Sequence, residues 1–126
     1  MSEEKAPIKQ VIVMRKDLGM RQGKAIAQGG HAVMMFLTRR LASKEPITPV
    51  QQDWLDSSFR KICVVVNSEA ELLDIAAKAQ DAGVECHVVE DSGLTEFKGV
   101  VTKTCLALGP DYDEKINPLT GHLKLY

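Results

Sequence analysis

Four short apolar runs along the chain predict four β-strands. They are IKQVIVMR (8–15), KICVVV (61–66), ECHVVE (85–90) and TKTCLALGP (102–110). Runs of this length, rich in β-branched residues and bounded by Pro, Gly or Asp, are typical of strands. The nearly continuous apolar run at residues 61–66 predicts a strand that is buried on both faces.

A long helical pattern separates the first two strands and runs from about Met20 to Ala42. Its apolar positions fall within one arc of the helical wheel, which predicts that this arc faces the core. The arc consists of Ile26, Gly30, Val33, Leu37 and Leu41. The segment KEPITP (44–49) ends the helix, because its two prolines cannot continue it.

Two further helices are predicted from their boundary residues. A short one begins near Pro49 and is anchored by Trp54 and Leu55, since proline is well tolerated in a first helical turn. Another opens at Ser68, three residues before a glutamate as in a capping box, and is closed by Gly83.

The order of these elements predicts a single α/β domain over residues 8–126, preceded by a flexible N-terminus at residues 1–7. We expect a mixed, largely parallel four-stranded sheet with helices on both faces, the direction of the last strand being left open. In such sheets functional residues gather in the loops beyond the carboxyl ends of the strands. Here those loops are residues 15–23 and 91–99.

Composition limits the class of protein. Of 126 residues, 44% are hydrophobic and 26% are charged, which is the balance of an ordinary globular protein. No apolar stretch approaches the roughly 18 residues of a membrane span, and the polar start MSEEKAPIKQ resembles no targeting peptide, so we expect a cytoplasmic protein. Three cysteines without a short CxxC spacing argue against a disulfide framework and a zinc site.

Charge is distributed unevenly along the chain, although the net charge is only −1. Residues 1–44 carry nine Lys/Arg and three Asp/Glu, whereas residues 45–126 carry seven and fourteen. Such asymmetry is a hint of a basic binding face. The alternative is that charges grouped in sequence scatter over the folded surface.

The first cluster of candidate chemical groups lies in GKAIAQGGHA (23–32). Lys24, Gln28 and His31 have the spacing i, i+4, i+7 and therefore project from one side of the helix, opposite the apolar arc. The pair Gly29–Gly30 costs a helix interior roughly 1–2 kcal/mol, which suggests close approach by a backbone, a partner subunit or a ligand. The alternative is a solvated Lys and Gln beside a structural histidine.

The second cluster is DSGLTE (91–96), directly after the third strand. Asp91 and Thr95 provide a carboxylate and a hydroxyl there, although Asp, Ser and Gly are also common turn residues. Dinucleotide, P-loop and serine-esterase motifs are absent from the sequence. His87 and His122 lack metal-ligand spacing.

Taken together, five segments resemble the type 2 peptidyl-tRNA hydrolases over about residues 9–126. They are VIVMRKDLGMRQGKAIAQGGHA, KICVVVNSEAELL, DSGLTE, LALGP and TGHLKLY. The resemblance implies a mixed four-stranded α/β fold, usually dimeric, that hydrolyses the ester between a peptide and the tRNA 3′ ribose. It implies no cofactor and no required metal.

Position by position, the resemblance implies the functional residues Lys24, Gln28, His31, Asp91, Thr95 and Thr104. Direct attack by water is the simplest scheme, with either Asp91 or neutral His31 as general base and Lys24 as a donor to the oxyanion. The candidates for tRNA phosphate contacts are Arg15, Lys16, Arg21, Arg39 and Arg40. Two alternatives stay open: a non-catalytic tRNA- or protein-binding module of this fold, and a hydrolase for a different ester or amide.

Overall fold

The computed structural model describes residues 6–93 and 97–126 and places four strands and four helices in them. In chain order they are β1 (Ile8–Arg15), α1 (Gln22–Ser43), α2 (Pro49–Asp56), β2 (Lys61–Val66), α3 (Glu69–Asp81), β3 (Cys86–Asp91), β4 (Thr102–Tyr112) and α4 (Asp113–Thr120). The four predicted strands and three predicted helices are present, with boundaries shifted by one or two residues. Most of the N-terminus predicted to be flexible lies outside the described residues.

The four strands form one mixed sheet in the order β2-β1-β4-β3. Only β1 and β2 pair in parallel, whereas β4 is antiparallel to both of its neighbours. The mixed sheet is therefore confirmed, but the expectation that its pairing is largely parallel is wrong. The reason is that β4 follows β3 directly, returns antiparallel to it and inserts between β3 and β1.

Helices cover both faces of the sheet, as predicted. On one face, α3 and α4 pack Leu72, Ile75 and Ile116 against alternate residues of β1, β2 and β4. On the other face, α1 packs Ala32 against Met14, Cys105 and Ala107. Next to it, α2 contributes Trp54, which packs edge-to-face against Phe36 of α1 with the two ring centroids 6.0 Å apart.

The predicted core-facing arc of α1 is wrong. The buried residues of this helix are Ala25, Gln28, Gly29, Ala32 and Phe36, whereas Ile26 is 67% and Leu41 is 78% exposed. Small side chains on the buried arc let α1 lie close to the sheet. Ile26 and Leu41 are left on an outer side of the helix.

The prediction that the second strand is buried on both faces is also wrong. Val64 and Val66 on one face of β2 are buried, whereas Cys63 and Val65 on the other face are only partly buried. β2 is an edge strand of the sheet. The C-terminal tail covers its outer edge: Val65 donates to Lys124 O at 2.9 Å and Tyr126 donates to Cys63 O at 3.0 Å. Among the helices of the described residues, none is long and apolar enough to cross a membrane.

Candidate active site

Three neighbouring elements bring the first and second clusters together. Lys24, Gln28 and His31 lie along α1, Asp91 is the last residue of β3, and Thr104 lies near the start of the adjacent β4. Because α1 packs against the β3–β4 side of the sheet, the polar stripe of the helix lies over the end of β3. This packing brings Lys24 and Asp91, which are 67 residues apart in the sequence, into contact.

An ion pair forms the centre of the site. Lys24 Nζ lies 2.7 Å from Asp91 Oδ1, and the two side chains are 14% and 12% exposed. The second carboxylate oxygen, Oδ2, accepts a hydrogen bond from the backbone N–H of Gly93 at 2.8 Å. The hydrogen bond from Lys24 lowers the pKa of Asp91, and the Gly93 N–H acts in the same direction. Asp91 is therefore a carboxylate at neutral pH.

Gln28 connects this ion pair to the sheet. Its Nε2 lies 3.4 Å from Asp91 Oδ1, and its Oε1 accepts a hydrogen bond from Thr104 Oγ1 at 2.5 Å. Gln28 is 3% exposed and Thr104 is fully buried. The amide is thus fixed in one orientation, with its carbonyl toward Thr104 and its N–H₂ toward the carboxylate.

A β-bulge explains why Thr104 faces the helix. Val89 pairs with Cys105 and Glu90 pairs with Lys103, so β4 has one residue more than β3 at this step. The extra residue is Thr104, which consequently lies on the same face of the sheet as Cys105. Cys105 Sγ in turn lies 3.4 Å from the main-chain oxygen of Gln28.

His31 lies at the exposed end of the polar stripe, one turn of helix beyond Gln28. Its electrostatic interaction with Asp91 is a minor contribution to the lowered pKa of that carboxyl group. The imidazole therefore lies close to the ion pair and remains open to solvent. Thr95, the remaining candidate in this turn, lies outside the described residues.

The five basic candidates divide by what their side chains contact. Arg15 is paired with Asp17 at 2.7 Å and donates to Lys103 O, which braces β1 against β4. Arg40 holds Glu85 by two hydrogen bonds of 2.7 and 2.6 Å. Arg39 lies 2.7 Å from His87 Nδ1. Lys16 and Arg21 are exposed and lie between β1 and α1, at the same end of the helix as Lys24.

The cysteines lie in poor positions for nucleophilic catalysis. Burial raises the pKa of Cys86 to about 11 and that of Cys105 to about 12, so both are neutral thiols at physiological pH. Burial also raises the pKa of Cys63. His87 is buried and bonded to Glu85, and His122 lies on the opposite face of the sheet, beside α3.

Two groups at the site, the Gly93 N–H and the Phe97 ring, were not predicted from the sequence. The Gly93 N–H was detectable in principle, because Asp-x-Gly favours an Asx turn in which the carboxylate accepts from the backbone two residues on. Phe97 lies with its ring centroid 5.8 Å from Lys24 Nζ, within reach of a cation–π contact. Nothing in the local pattern distinguishes this aromatic residue from other loop residues.

The arrangement combines a fixed ion pair, a fixed amide and an exposed imidazole within one partly enclosed region. Such a set can bind a polar substrate, orient a water molecule and stabilise a developing negative charge. Among the described residues, no three His, Cys, Asp or Glu side chains converge as a metal site would require.

Known proteins are similar to this chain in sequence or in fold. A family model described as "Peptidyl-tRNA hydrolase PTH2" matches residues 8–126. A Methanocaldococcus jannaschii protein named peptidyl-tRNA hydrolase is 44% identical over 119 residues, which are 94% of this chain and 99% of that protein. A Nanoarchaeum equitans protein of the same name is 40% identical, with the same coverage. A solved structure of an Agrobacterium protein of unknown function covers 94% of this chain and 97% of its own, with a TM-score of 0.52 at 12% identity, a likeness of fold alone.

Proposed function

The chain belongs to the peptidyl-tRNA hydrolase PTH2 family, and from this premise we propose that it hydrolyses the ester between a peptidyl group and the tRNA 3′ end. The products are a peptide with a free carboxylate and free tRNA. Relatives at about 40% identity over most of the chain are named as hydrolases, which favours a catalyst over a non-catalytic binding module of the same fold.

One observation carries the proposal most directly: Lys24, Asp91, Gln28 and Thr104 form a continuous hydrogen-bonded chain beside an exposed His31. Each fixed group in this chain is held by at least one partner from another element. Such preorganisation is what a site needs in order to stabilise charge in a transition state without reorganising. An inert surface would not require a buried Gln–Thr pair beneath an ion pair.

Asp91 is the weaker candidate for the general base. Its carboxylate accepts hydrogen bonds on both oxygens, and the resulting low pKa disfavours proton uptake. His31 carries a solvent-exposed imidazole on the same side of α1 as Lys24, and histidine is the most common general base in enzymes. We therefore assign the role of general base to His31. Asp91 has the role of orienting Lys24.

The reaction then proceeds by direct attack of water. His31 removes a proton as the water oxygen bonds to the ester carbonyl carbon, which gives a tetrahedral oxyanion and an imidazolium. Lys24, held in place by Asp91, stabilises the oxyanion. When the intermediate collapses, the bond to the ribose oxygen breaks and the imidazolium returns its proton to that oxygen. Gln28 positions the reacting groups, supported by Thr104, and Thr95 shares this role.

Contacts with tRNA phosphates fall mainly to Lys16 and Arg21, which lie at the Lys24 end of α1. Arg39 lies about 22 Å further along the helix, at 1.5 Å per residue, where it could meet a more distant phosphate. Arg15 and Arg40 support the scaffold through Asp17 and Glu85, and any contact with tRNA would have to share those guanidinium groups. A substrate present where translation occurs supports a cytoplasmic location for the protein.

The protein acts as a homodimer through an apolar groove on the outer side of α1. This groove is lined by Ile12, Ile26, Gly30, Val33, Cys63 and Tyr126 and has a volume of about 450 Å³. A Cβ atom added at Gly30 would meet nothing within 4 Å, so packing within the chain does not explain the glycine. Close approach by the same groove of a second copy would explain both the glycine and the exposed Ile26.

The first experiment measures release of labelled N-acyl-amino acid from N-acyl-aminoacyl-tRNA in EDTA. We expect wild-type turnover, and Lys24→Ala should lower kcat by about 10²–10³-fold, the usual cost of removing an oxyanion donor. Lys78→Ala is the matched control, because Lys78 is 61% exposed on α3, on the opposite face of the sheet. Turnover of Lys24→Ala within a few-fold of wild type would contradict the assignment. Wild-type tRNA binding without turnover would support the binding module instead.

A further inference from the structure

A second groove runs from the site along the outer edge of the sheet. It lies between α1 and β3, has a volume of about 370 Å³, and is lined by Gly30, His31, Met34, Met35, Thr38, Val89 and Glu90. We call it the edge groove. One end of it is His31, and β3 ends in Asp91, so the edge groove is continuous with the proposed catalytic site.

The outer edge of β3 begins at this groove, where Val89 and Glu90 line it. The main-chain oxygen of Glu85 accepts a hydrogen bond from the N–H of Gly109 in β4. In an antiparallel pair the direction of the main-chain groups alternates along the strand, so this bond determines which residues of β3 have main-chain groups that point toward β4. The main-chain groups of Cys86 and Val88 therefore point away from β4. Within residues 6–93 and 97–126, no strand pairs with that outer side of β3.

We propose that the peptidyl part of the substrate binds in the edge groove as an added, parallel β-strand along β3. This inference rests on the proposed function, because it is the ester carbonyl at the Asp91 end that fixes the direction of the peptide. With its C-terminal residue at the ester, the peptide extends from Asp91 back toward Cys86 and so runs in the same direction as β3. Strand addition of this kind draws affinity from main-chain hydrogen bonds.

The side chains of the edge groove suit peptides of varied sequence. Met34 and Met35 are flexible and polarizable, and such residues adapt to differently shaped apolar partners. Met34 is 51% exposed, although it lies on a helix that packs against the sheet. Main-chain hydrogen bonds together with methionine contacts would bind a peptide without selecting for its sequence. The chemical class of ligand is thus an extended peptide esterified at its C-terminus.

The length of the edge sets the number of residues recognised. Six residues of β3 span about 20 Å, which accommodates four or five residues beyond the ester. A net hydrogen bond corresponds to about a three- to tenfold change in affinity. We expect kcat/KM to rise about 10- to 100-fold from N-acetylaminoacyl-tRNA to tetrapeptidyl-tRNA, mainly through KM, and then to level off.

The decisive experiment combines this length series with N-methylation at each peptide position of tetrapeptidyl-tRNA. Methylation at alternate residues should lower kcat/KM three- to tenfold, while methylation between them should have little effect, because only alternate N–H groups of a strand face its neighbour. Uniform losses, or none, would overturn the inference. Hydrolysis of all substrates without any dependence on length would overturn it and leave the proposed function intact, whereas no hydrolysis of any substrate would overturn both.

Two variants test the protein side of the interface. Val88→Pro removes an N–H that points to the outer edge, a position where proline is tolerated in a strand. Met34→Lys places a charge in the edge groove, and Leu41→Lys adds the same charge on the same helix outside it. We expect the ratio of kcat/KM for tetrapeptidyl- over N-acetylaminoacyl-tRNA to fall at least threefold in Val88→Pro and Met34→Lys and to stay unchanged in Leu41→Lys. An unchanged ratio in folded Met34→Lys would contradict the assignment, including when Val88→Pro does not fold.

Discussion

At the scale of single residues, the hydroxyl of Thr104 supports the whole polar chain of the site. It is fully buried and donates to the side-chain oxygen of Gln28, whose N–H₂ group faces Asp91. A buried amide oxygen that loses its donor costs about 1–3 kcal/mol, and the amide becomes free to turn. In the proposed mechanism, Thr104 would affect catalysis by positioning Gln28.

We therefore expect Thr104→Val to lower the free energy of unfolding by about 1–3 kcal/mol and to lower kcat by about tenfold or more, since small misplacements at a reacting centre are costly. Thr102→Val provides the matched control, because Thr102 is in the same strand and its hydroxyl donates to Val100 O near the surface. Urea denaturation and initial-rate kinetics measure the two effects. Equal effects of both substitutions would contradict the positioning role.

The pH dependence of turnover distinguishes His31 from Asp91 as the base. If His31 is the base, protonation of its imidazole should cause the acid limb of the pH profile of kcat/KM, and His31→Gln should reduce kcat about 10²–10⁴-fold and remove that limb. Since Lys24 lowers the pKa of Asp91, an acid limb caused by Asp91 would instead lie below the ordinary aspartate value of about 3.9 and would persist in His31→Gln. If the limb persists unchanged in this variant, another group is the base.

At the scale of elements, a cluster of polar side chains ties α1, α2 and β3 together at the end of α1 remote from Lys24. Glu85 accepts two hydrogen bonds from Arg40, one from Gln51 at 3.0 Å and one from His87 at 2.6 Å. Burial alone would raise the pKa of Glu85, but the bonds from His87 and Arg40 outweigh it and lower the pKa to about 2. The carboxylate fixes the far end of α1 and thereby the angle at which the helix crosses the sheet.

The pKa of Glu85 is lower in the folded than in the unfolded chain. The contribution of this carboxylate to the free energy of unfolding is therefore complete above pH 4.5 and is lost as the pH falls toward 2. Glu85→Gln should lower the free energy of unfolding by about 1–3 kcal/mol at pH 7 and by much less near pH 2. Urea titrations at several pH values measure this, with Glu114→Gln as a control at an exposed carboxylate. A loss of stability in Glu85→Gln that is the same at pH 7 and pH 2 would contradict this account.

Elements with a clear local sequence pattern were predictable from the sequence, whereas the elements against which they pack were not. The spacing of Lys24, Gln28 and His31 and the Asp91 turn gave most of the site, because helical periodicity and strand ends are local properties. The buried arc of α1 was missed because Ala25, Gly29 and Ala32 give a weak hydrophobic signal while the exposed Ile26 gives a strong one. Neither the insertion of β4 between β1 and β3 nor the bulge at Thr104 follows from local pattern, and α4 contains Pro118 and only a few buried residues.

At the scale of the whole molecule, α1 has a groove on each of two sides. Its Lys24–His31 side faces β3 and the proposed chemistry, whereas its Ile26–Val33 side, opposite on the helical wheel, lines the apolar groove. Exposed apolar patches of this kind mark interaction surfaces. Gly30 lines both grooves, but Lys24 and His31 point away from Ile26 and Val33, so association through the apolar groove would leave the Lys24–His31 side open to substrate.

This separation predicts that the dimer can be broken without loss of catalysis. Ile26→Arg places a charge in the apolar groove and should weaken dimerisation at least tenfold, the effect typical of a residue central to an interface. Leu41→Arg adds the same charge on the same helix outside the groove and should leave the dimer intact. Sedimentation equilibrium measures association, and hydrolysis of N-acyl-aminoacyl-tRNA below the dissociation constant measures the activity of the monomer. A wild-type monomer, or an Ile26→Arg dimer as tight as that of Leu41→Arg, would refute the apolar groove as the interface. A monomer without turnover would instead mean that the second copy completes the site.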